Sequence, residues 1–250
     1  MEPITKNRLA RVSVSQLGTK SFRLNIDQKT IYAKELVHLL GTVKRWLSLD
    51  WDPREAILTS ELLDKNVSLF IKQGGGRFLR CSTFYEDLAK TICTINTNWK
   101  STIRMCSQLV EHLGHNSFPT PTVVVRAGPL KLAQQLKLGF RSKILFDSTA
   151  ALLERKIIDG NGNLIDMAVN FQALLSLKGI GPYSASHIMM LSHDFSHIPI
   201  DSEVSSYFTK RYKVHPNAIE SVFSDWGTYK TLGYKLTRMF NEPHWDALAG

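Results

Sequence analysis

The 250-residue chain is 43% hydrophobic and 21% charged, the balance of a globular protein with its own core rather than a disordered segment. Thirty-one Lys and Arg against 22 Asp and Glu leave a formal charge of +9, which suits a polyanionic partner, nucleic acid before an anionic membrane surface. No stretch approaches the ~20 apolar residues of a membrane span, the opening MEPITKNRLARVSV has no apolar signal-like run, and three cysteines without a C-x-x-C pair disfavour a disulfide framework or a zinc ribbon, so a reduced, intracellular protein is expected.

Phe22, Leu24 and Ile26 alternate with Arg23, Asn25 and Asp27, which is strand periodicity, and residues 31–48 space their apolar positions as a helix does. The stretch VSLFIKQGGGRFLR (67–80) reads as strand-rich, turning at Gly74–Gly76. The triple glycine lacks a following Gly-Lys-Ser/Thr, so a hairpin turn fits it better than a phosphate loop. From Thr83 the pattern is helical. Leu88, Ile92 and Ile95 mark one helix, ended by Asn96-Thr97-Asn98, and Ile103, Cys106, Val110 and Leu113 mark the next. FPTPT (118–122) is a break, and helices are expected at about 123–137, 142–157 and 164–177. DGNGN (159–163) lacks the central Gly and terminal Glu of a calcium loop and reads as a turn. The expectation is a mainly α chain with a small N-terminal antiparallel β-sheet, α+β in class. It assigns the sheet region to 1–80 and a helical body to the residues that follow.

The most informative stretch is LLSLKGIGPYSASHIMMLSHDFSHIPIDSEV (174–204). A helix ends at Lys178, Gly179-Ile180-Gly181 forms a tight turn, and Pro182 opens the next helix, where its missing N–H costs nothing. Such a turn points backbone N–H groups outward at a helix N-terminus and suits a phosphate, with Ile180 turned inward to fix it. A plain helix connection explains the same residues equally well. Asp201, just before another helical pattern, is a natural N-cap. A carboxylate anchored there is also held rigidly, and beside a sugar it could stabilise positive charge developing at C1′.

At this point the sequence resembles the helix–hairpin–helix DNA glycosylase superfamily. The pattern L-x-x-L-K-G-I-G-P-Y-S-A followed by an aspartate after a Pro-containing apolar strip carries the resemblance, which extends over roughly residues 75–240. RFLR (77–80) with LAKTICTINTNW (88–99) is similar to the 8-oxoguanine glycosylase segment that ends a helix with a DNA-facing Asn. LGFRSKIL (138–145) resembles the family's wedge segment, and DWGTYKTLG (225–233) is similar to a Trp-containing stretch of 3-methyladenine glycosylases.

The resemblance implies a two-domain helical glycosylase fold after the sheet region, with a helical bundle at 101–199 that carries the helix–hairpin–helix at 170–193 and an 81–100 plus 200–250 helical domain bordering a cleft. It makes Asp201 the catalytic carboxylate. Gly179, Ile180 and Gly181, with Lys178 before them, become the phosphate grip. Phe140 becomes the wedge that fills the gap left by a flipped nucleotide, Arg141 its DNA-binding neighbour, and Asn96 the contact to the base left unpaired. For Phe140 a core position, and for Asn96 a helix C-terminal cap, are the ordinary alternatives. Bifunctional members carry a lysine two residues after the second hairpin glycine. Here that position is Tyr183, eighteen residues before Asp201 as the family spacing requires, and a phenol cannot form an imine.

The implied activity is therefore that of a monofunctional hydrolase of base excision repair, acting as a monomer on double-stranded DNA with a damaged or modified base and leaving an abasic site. Tyr183, Trp226 and Tyr229 as an aromatic pocket would favour an alkylated purine by stacking and cation–π attraction. An 8-oxoguanine enzyme, with or without lyase activity through another amine, and a non-catalytic DNA-binding protein of the same fold stay open. No cysteine follows Cys106, so the iron–sulfur cluster of endonuclease III relatives cannot be built. No metal or cofactor is expected beyond a monovalent ion at the hairpin, which the family implies, since His193 and His197 lack a third convergent ligand.

Overall fold

The computed structural model describes residues 2–5, 8–18, 21–165 and 169–241. The chain divides into two units, residues 1–49 with 79–169 and residues 50–78 with 170–250. These bounds differ from the three segments expected from sequence, chiefly because residues 50–78 pack with the C-terminal third.

The first unit begins with strands β1 (Glu2–Thr5), β2 (Arg8–Gln16) and β3 (Phe22–Asp27), antiparallel in that spatial order. Val12 pairs with Ile26 and Val14 with Leu24, so one face of the pair is apolar. Helix α1 (Ala33–Trp46) closes that face through Ile4, Ala10 and Leu39, flanked by Val12, Ile26 and Ile31.

The chain then enters the second unit as α2 (Arg54–Leu63) and α3 (Lys65–Lys72). Here the strand-rich expectation for 67–80 fails. Asp64 caps α3 by accepting from the amides of Asn66 and Val67 at 2.9 and 3.2 Å, and Val67 and Ile71 lie one turn apart in a shared core. Packing of that helical face overrides the β propensity of Val, Phe and Ile. The glycine run ends this helix instead of turning a hairpin, with the Gly74 and Gly75 amides donating to the carbonyls of Ile71 and Phe70 at 2.9 Å each.

Back in the first unit, α4 (Phe84–Thr94), α5 (Trp99–His112), α6 (Pro121–Gln134) and α7 (Arg141–Glu154) form the helical body. Helix α6 breaks at Gly128, whose φ of 76° precedes Pro129. Fully buried Tyr85 shares a 3.0 Å hydroxyl hydrogen bond with Thr149, tying α4 to α7. Residues 159–163 form the expected turn, in which the Asp159 carboxylate accepts from the Asn161 and Asn163 amides at 2.9 and 2.8 Å. The helix expected over 164–177 is only α8 (Phe171–Leu175), because Leu164 is held in an extended bridge with Ile158. Residues 166–168 of that span lie outside the described residues.

The second unit resumes with α8 and continues through α9 (Pro182–Leu191), α10 (Ser202–Tyr212), α11 (Ile219–Val222) and, after a 3₁₀ segment at Ser224–Tyr229, α12 (Lys230–Asn241). Its larger core gathers Trp51, Val67, Ile71, Met190, Phe195, Trp226 and Leu232. A second core holds α10 with Ile198, Val204, Phe208, Ile219 and Tyr234. No helix among the described residues is long and apolar enough to cross a membrane.

Candidate active site

The turn between α8 and α9 is built by its two glycines for different reasons. Gly179 has a φ of 90°, a left-handed conformation that L side chains resist. Ile180 is buried, and its amide donates to the Leu177 carbonyl at 3.0 Å, closing the turn. Gly181 caps α9 at a φ of −92°, which any residue adopts, and a side chain placed there would meet nothing within 4 Å. The fold itself does not demand glycine at 181; an approaching external group would. Pro182 occupies the first helical position and Lys178 is exposed beside the turn. The monovalent ion implied for this turn would bind carbonyl oxygens. Those of Leu177 and Gly181 each accept one amide, from Ile180 and Ala185, and each retains a lone pair.

Asp201 is the N-cap of α10, its Oδ1 accepting from the Val204 amide at 2.8 Å. It is half-buried and accepts no other hydrogen bond among the described residues, so one oxygen anchors the carboxylate and the other is available. The cap and the reactive role are therefore compatible in one side chain.

Four groups from α9 and α12 share the electrostatic neighbourhood of Asp201. Burial pushes the Tyr183 phenol up, reinforced by the charges of Asp201 and Glu203. The Tyr183 ring stacks on His187, with centres 6.0 Å apart and planes at 20°. Burial, and then the charge of Lys235, hold the His187 imidazole down at about 4 against the opposing pull of Asp201. Lys235 is lowered by burial and by Arg238, while Asp201 and Glu203 favour its charged form. Its Nζ lies 5.7 Å from the Tyr234 ring centre. Tyr234 is buried, raised mainly by that burial, and accepts from Arg238 at 2.8 Å. Arg238 also pairs with Glu203 at 2.9 Å. The sequence reading named Asp201 and Tyr183 but missed His187 and Lys235. His187 follows Tyr183 by one helical turn, a spacing that could have found it. Lys235 lies beyond any local signal.

Two members of the expected aromatic pocket sit elsewhere. Trp226 is 7% exposed and belongs to the core with Trp51 and Phe195; a side chain at Gly233 would fall 2.4 Å from its indole. Tyr229 packs on that same core, 6.3 Å from the Phe195 ring, and its phenol is raised by burial and then by Glu55 and Asp52, with no contribution from Asp201. The apolar demand of a tightly packed core claims Trp226 before any ligand can.

In the first unit, Phe140 of the segment expected to act as a wedge is 54% exposed immediately before α7, with the Arg141 guanidinium carbon 4.5 Å from its ring centre. Arg141, expected to bind DNA, is instead 9% exposed and turned inward. Its Nε donates to the Ile95 carbonyl at 2.8 Å, and its Nη2 donates to the carbonyls of Ile95 and Asn96, the latter at 2.9 Å. Those carbonyls end α4 without helical partners, and a planar guanidinium satisfies both. Asn96 is exposed with a φ of 46°, the residue just past the cap of α4, so its backbone performs the terminating role while its side chain faces solvent.

His193 and His197 do not converge: the first lies against Trp51 and Phe195, the second stacks on Phe171 with ring centres 4.0 Å apart. No group of three metal-ligating side chains occurs among the described residues.

This chain has the fold of the helix–hairpin–helix DNA glycosylases, with a glycine hairpin between α8 and α9 and a capping aspartate opening α10. Among solved structures it is similar to the Clostridium acetobutylicum 8-oxoguanine glycosylase/lyase in its apo-form, at a TM-score of 0.66 and 19% identity over 89% of this chain and 80% of that one. The same enzyme in complex with double-stranded DNA containing cytosine opposite 8-oxoguanine gives 0.64 and 18% over 92% and 82%. The 3-methyladenine DNA-glycosylase from Archaeoglobus fulgidus gives 0.67 and 13% over 93% and 83%. No protein-family model matches the chain, and no curated protein matches it in sequence.

Proposed function

We propose that this protein is a monofunctional DNA glycosylase of base excision repair, which binds double-stranded DNA, extrudes a modified nucleotide and hydrolyses its N-glycosidic bond. The observation that carries the reading is the half-buried Asp201 carboxylate, anchored through one oxygen to the Val204 amide at 2.8 Å, with Tyr183 in the hairpin helix where a bifunctional enzyme would place an amine. In this reading the open face of the turn at Gly181 takes a backbone phosphate, and Phe140 enters the duplex in place of the flipped nucleotide. The charge of +9 supplies the attraction to the polyanion. Asp201 stabilises the oxocarbenium-like sugar and takes a proton from the attacking water. The fold is shared by glycosylases for 8-oxoguanine and for 3-methyladenine, so fold alone does not choose the base.

The test is Asp201→Asn under single-turnover conditions on a panel of single-lesion duplexes. Base release falls by roughly 10²–10⁴-fold while duplex binding is kept. Unchanged release in this variant would remove Asp201 from the chemistry. Strand cleavage before alkali treatment, or a borohydride-trapped covalent adduct, would replace hydrolysis with a lyase mechanism.

A further inference from the structure

The residues that lead into Asp201 belong to no helix or strand, so their backbone groups need partners from other elements. Residues 195–200 run as an irregular strip between α9 and α10. From α12, the Thr231 amide donates to the Phe195 carbonyl at 2.9 Å, and the Thr231 hydroxyl donates to the His197 carbonyl at 2.6 Å. From α11, Glu220 Oε1 accepts from the Ile198 amide at 3.0 Å and lies 3.5 Å from His197 Nδ1. Its Oε2 faces Lys230 Nζ at 4.0 Å. The His197 ring rests on Phe171 of α8, centres 4.0 Å apart. Apolar packing fixes the same strip: Ile198 shares a buried core with Val204 and with Ile219, the residue before Glu220. Val204 supplies the amide that holds the Asp201 carboxylate at 2.8 Å. Asp201 is thus suspended between Ile198 and Val204. Pro199 has a ring-fixed φ and no amide of its own, so the position given to Ile198 is carried stiffly towards the carboxylate.

We propose that Glu220 is a positioning residue for Asp201: by holding the Ile198 amide it sets where the reactive carboxylate stands relative to the sugar. The inference rests on the glycosylase reading above and deepens it. Glu220 takes no part in the bond changes. Its carboxylate stands in for the ladder partner that the strip lacks, and an ionised acceptor binds an amide more strongly than a neutral one. Placement matters because a shift of about 1 Å at a reacting centre costs on the order of 10²-fold in rate. Thr231 is a second strut of the same kind, reaching the strip one residue earlier, at the His197 carbonyl. Both residues act through Asp201, so their effect on rate exists only while that carboxylate takes part. Once Asp201 is disabled, moving the strip has nothing further to remove. This dependence separates positioning from general support of the fold.

The experiment is a double-mutant cycle in single-turnover base release, on a duplex from the lesion panel that the wild type processes. Duplex affinity and thermal melting are measured on every variant. Glu220→Ala releases base about 10–100-fold more slowly while binding duplex within about twofold of wild type. Glu220→Gln keeps an oxygen for the Ile198 amide and recovers the rate to within about threefold. In the Asp201→Asn background, Glu220→Ala costs less than about threefold. Thr231→Val removes only a hydroxyl at a fully buried position, and it decides the question if Glu220→Ala does not fold. It gives a smaller loss with the same dependence on Asp201. An unchanged rate, no recovery with glutamine, equal losses with and without Asp201, or a loss that follows duplex affinity overturns the proposal while the glycosylase reading survives. A wild-type protein that binds every duplex and releases no base overturns the glycosylase reading itself, and the role of Glu220 with it.

Discussion

The Arg141 guanidinium donates to the Asn96 carbonyl at 2.9 Å while its carbon lies 4.5 Å from the Phe140 ring centre. One side chain thus fixes two neighbours: the left-handed residue that ends α4 and the exposed ring that opens α7. With Phe140 entering the duplex as proposed, Arg141 acts through that ring without touching DNA itself. Arg141→Met leaves the Ile95 and Asn96 carbonyls without these donors and costs about 2–4 kcal/mol of stability in urea unfolding. Duplex affinity falls as well. Unchanged stability with reduced affinity would mean that Arg141 contacts DNA directly.

The hairpin glycines separate by the same logic. Gly179→Ala forces a side chain to a φ of 90° and lowers stability by about 1–2 kcal/mol. Gly181→Ala, with its ordinary φ and open surroundings, stays within about 0.5 kcal/mol of wild type. It nevertheless weakens duplex binding about tenfold or more, because the methyl group occupies the approach to the turn amides. Paired thermal melts and binding isotherms check both halves.

Asp201 offers a similar dissection. Asparagine is as good a cap as aspartate, so Asp201→Asn keeps stability within about 0.5 kcal/mol, whereas Asp201→Ala loses about 1 kcal/mol with the Val204 hydrogen bond. Equal thermodynamic cost in the two variants would show that the cap contributes nothing.

His187 gives the fold an acid limit. Burial lowers its pKa from 6.5 to about 4. Between these values the unfolded chain takes up a proton that the folded chain refuses, so stability falls as pH drops through this window. The change saturates below pH 4 at about 3 kcal/mol. His187→Gln flattens this portion of the stability–pH curve measured by denaturant titration. An unaltered slope in that variant assigns the acid sensitivity to other groups.

How much of this was legible beforehand varied with the distance over which each residue acts. The hairpin, Asp201 and the strand around Leu24 depend on neighbours within a few positions, and their spacing states them. Helix α3 was misread because Val67, Phe70 and Ile71 carry β propensity, although Asp64 as a cap and the one-turn spacing of Val67 and Ile71 were present to correct it. Arg141 and Trp226 could not be placed from sequence. Their partners, Ile95 and Asn96 for the first and Trp51, Phe195 and Gly233 for the second, lie far along the chain or are chosen by packing. Lys235 was invisible for the same reason, since α12 reaches the start of α10, through Arg238 and Glu203, only once the second unit is assembled.

The core that joins Trp51, Val67 and Ile71 to Met190, Phe195 and Leu232 spans well over a hundred intervening residues. During synthesis, α2 and α3 emerge early and must keep their apolar faces uncovered until almost the whole polypeptide has left the ribosome. The first unit meets no such delay between residues 79 and 169. Nascent chains arrested near residue 180 should therefore engage chaperones through the Trp51–Ile71 stretch, a vulnerability that release of the final helix removes.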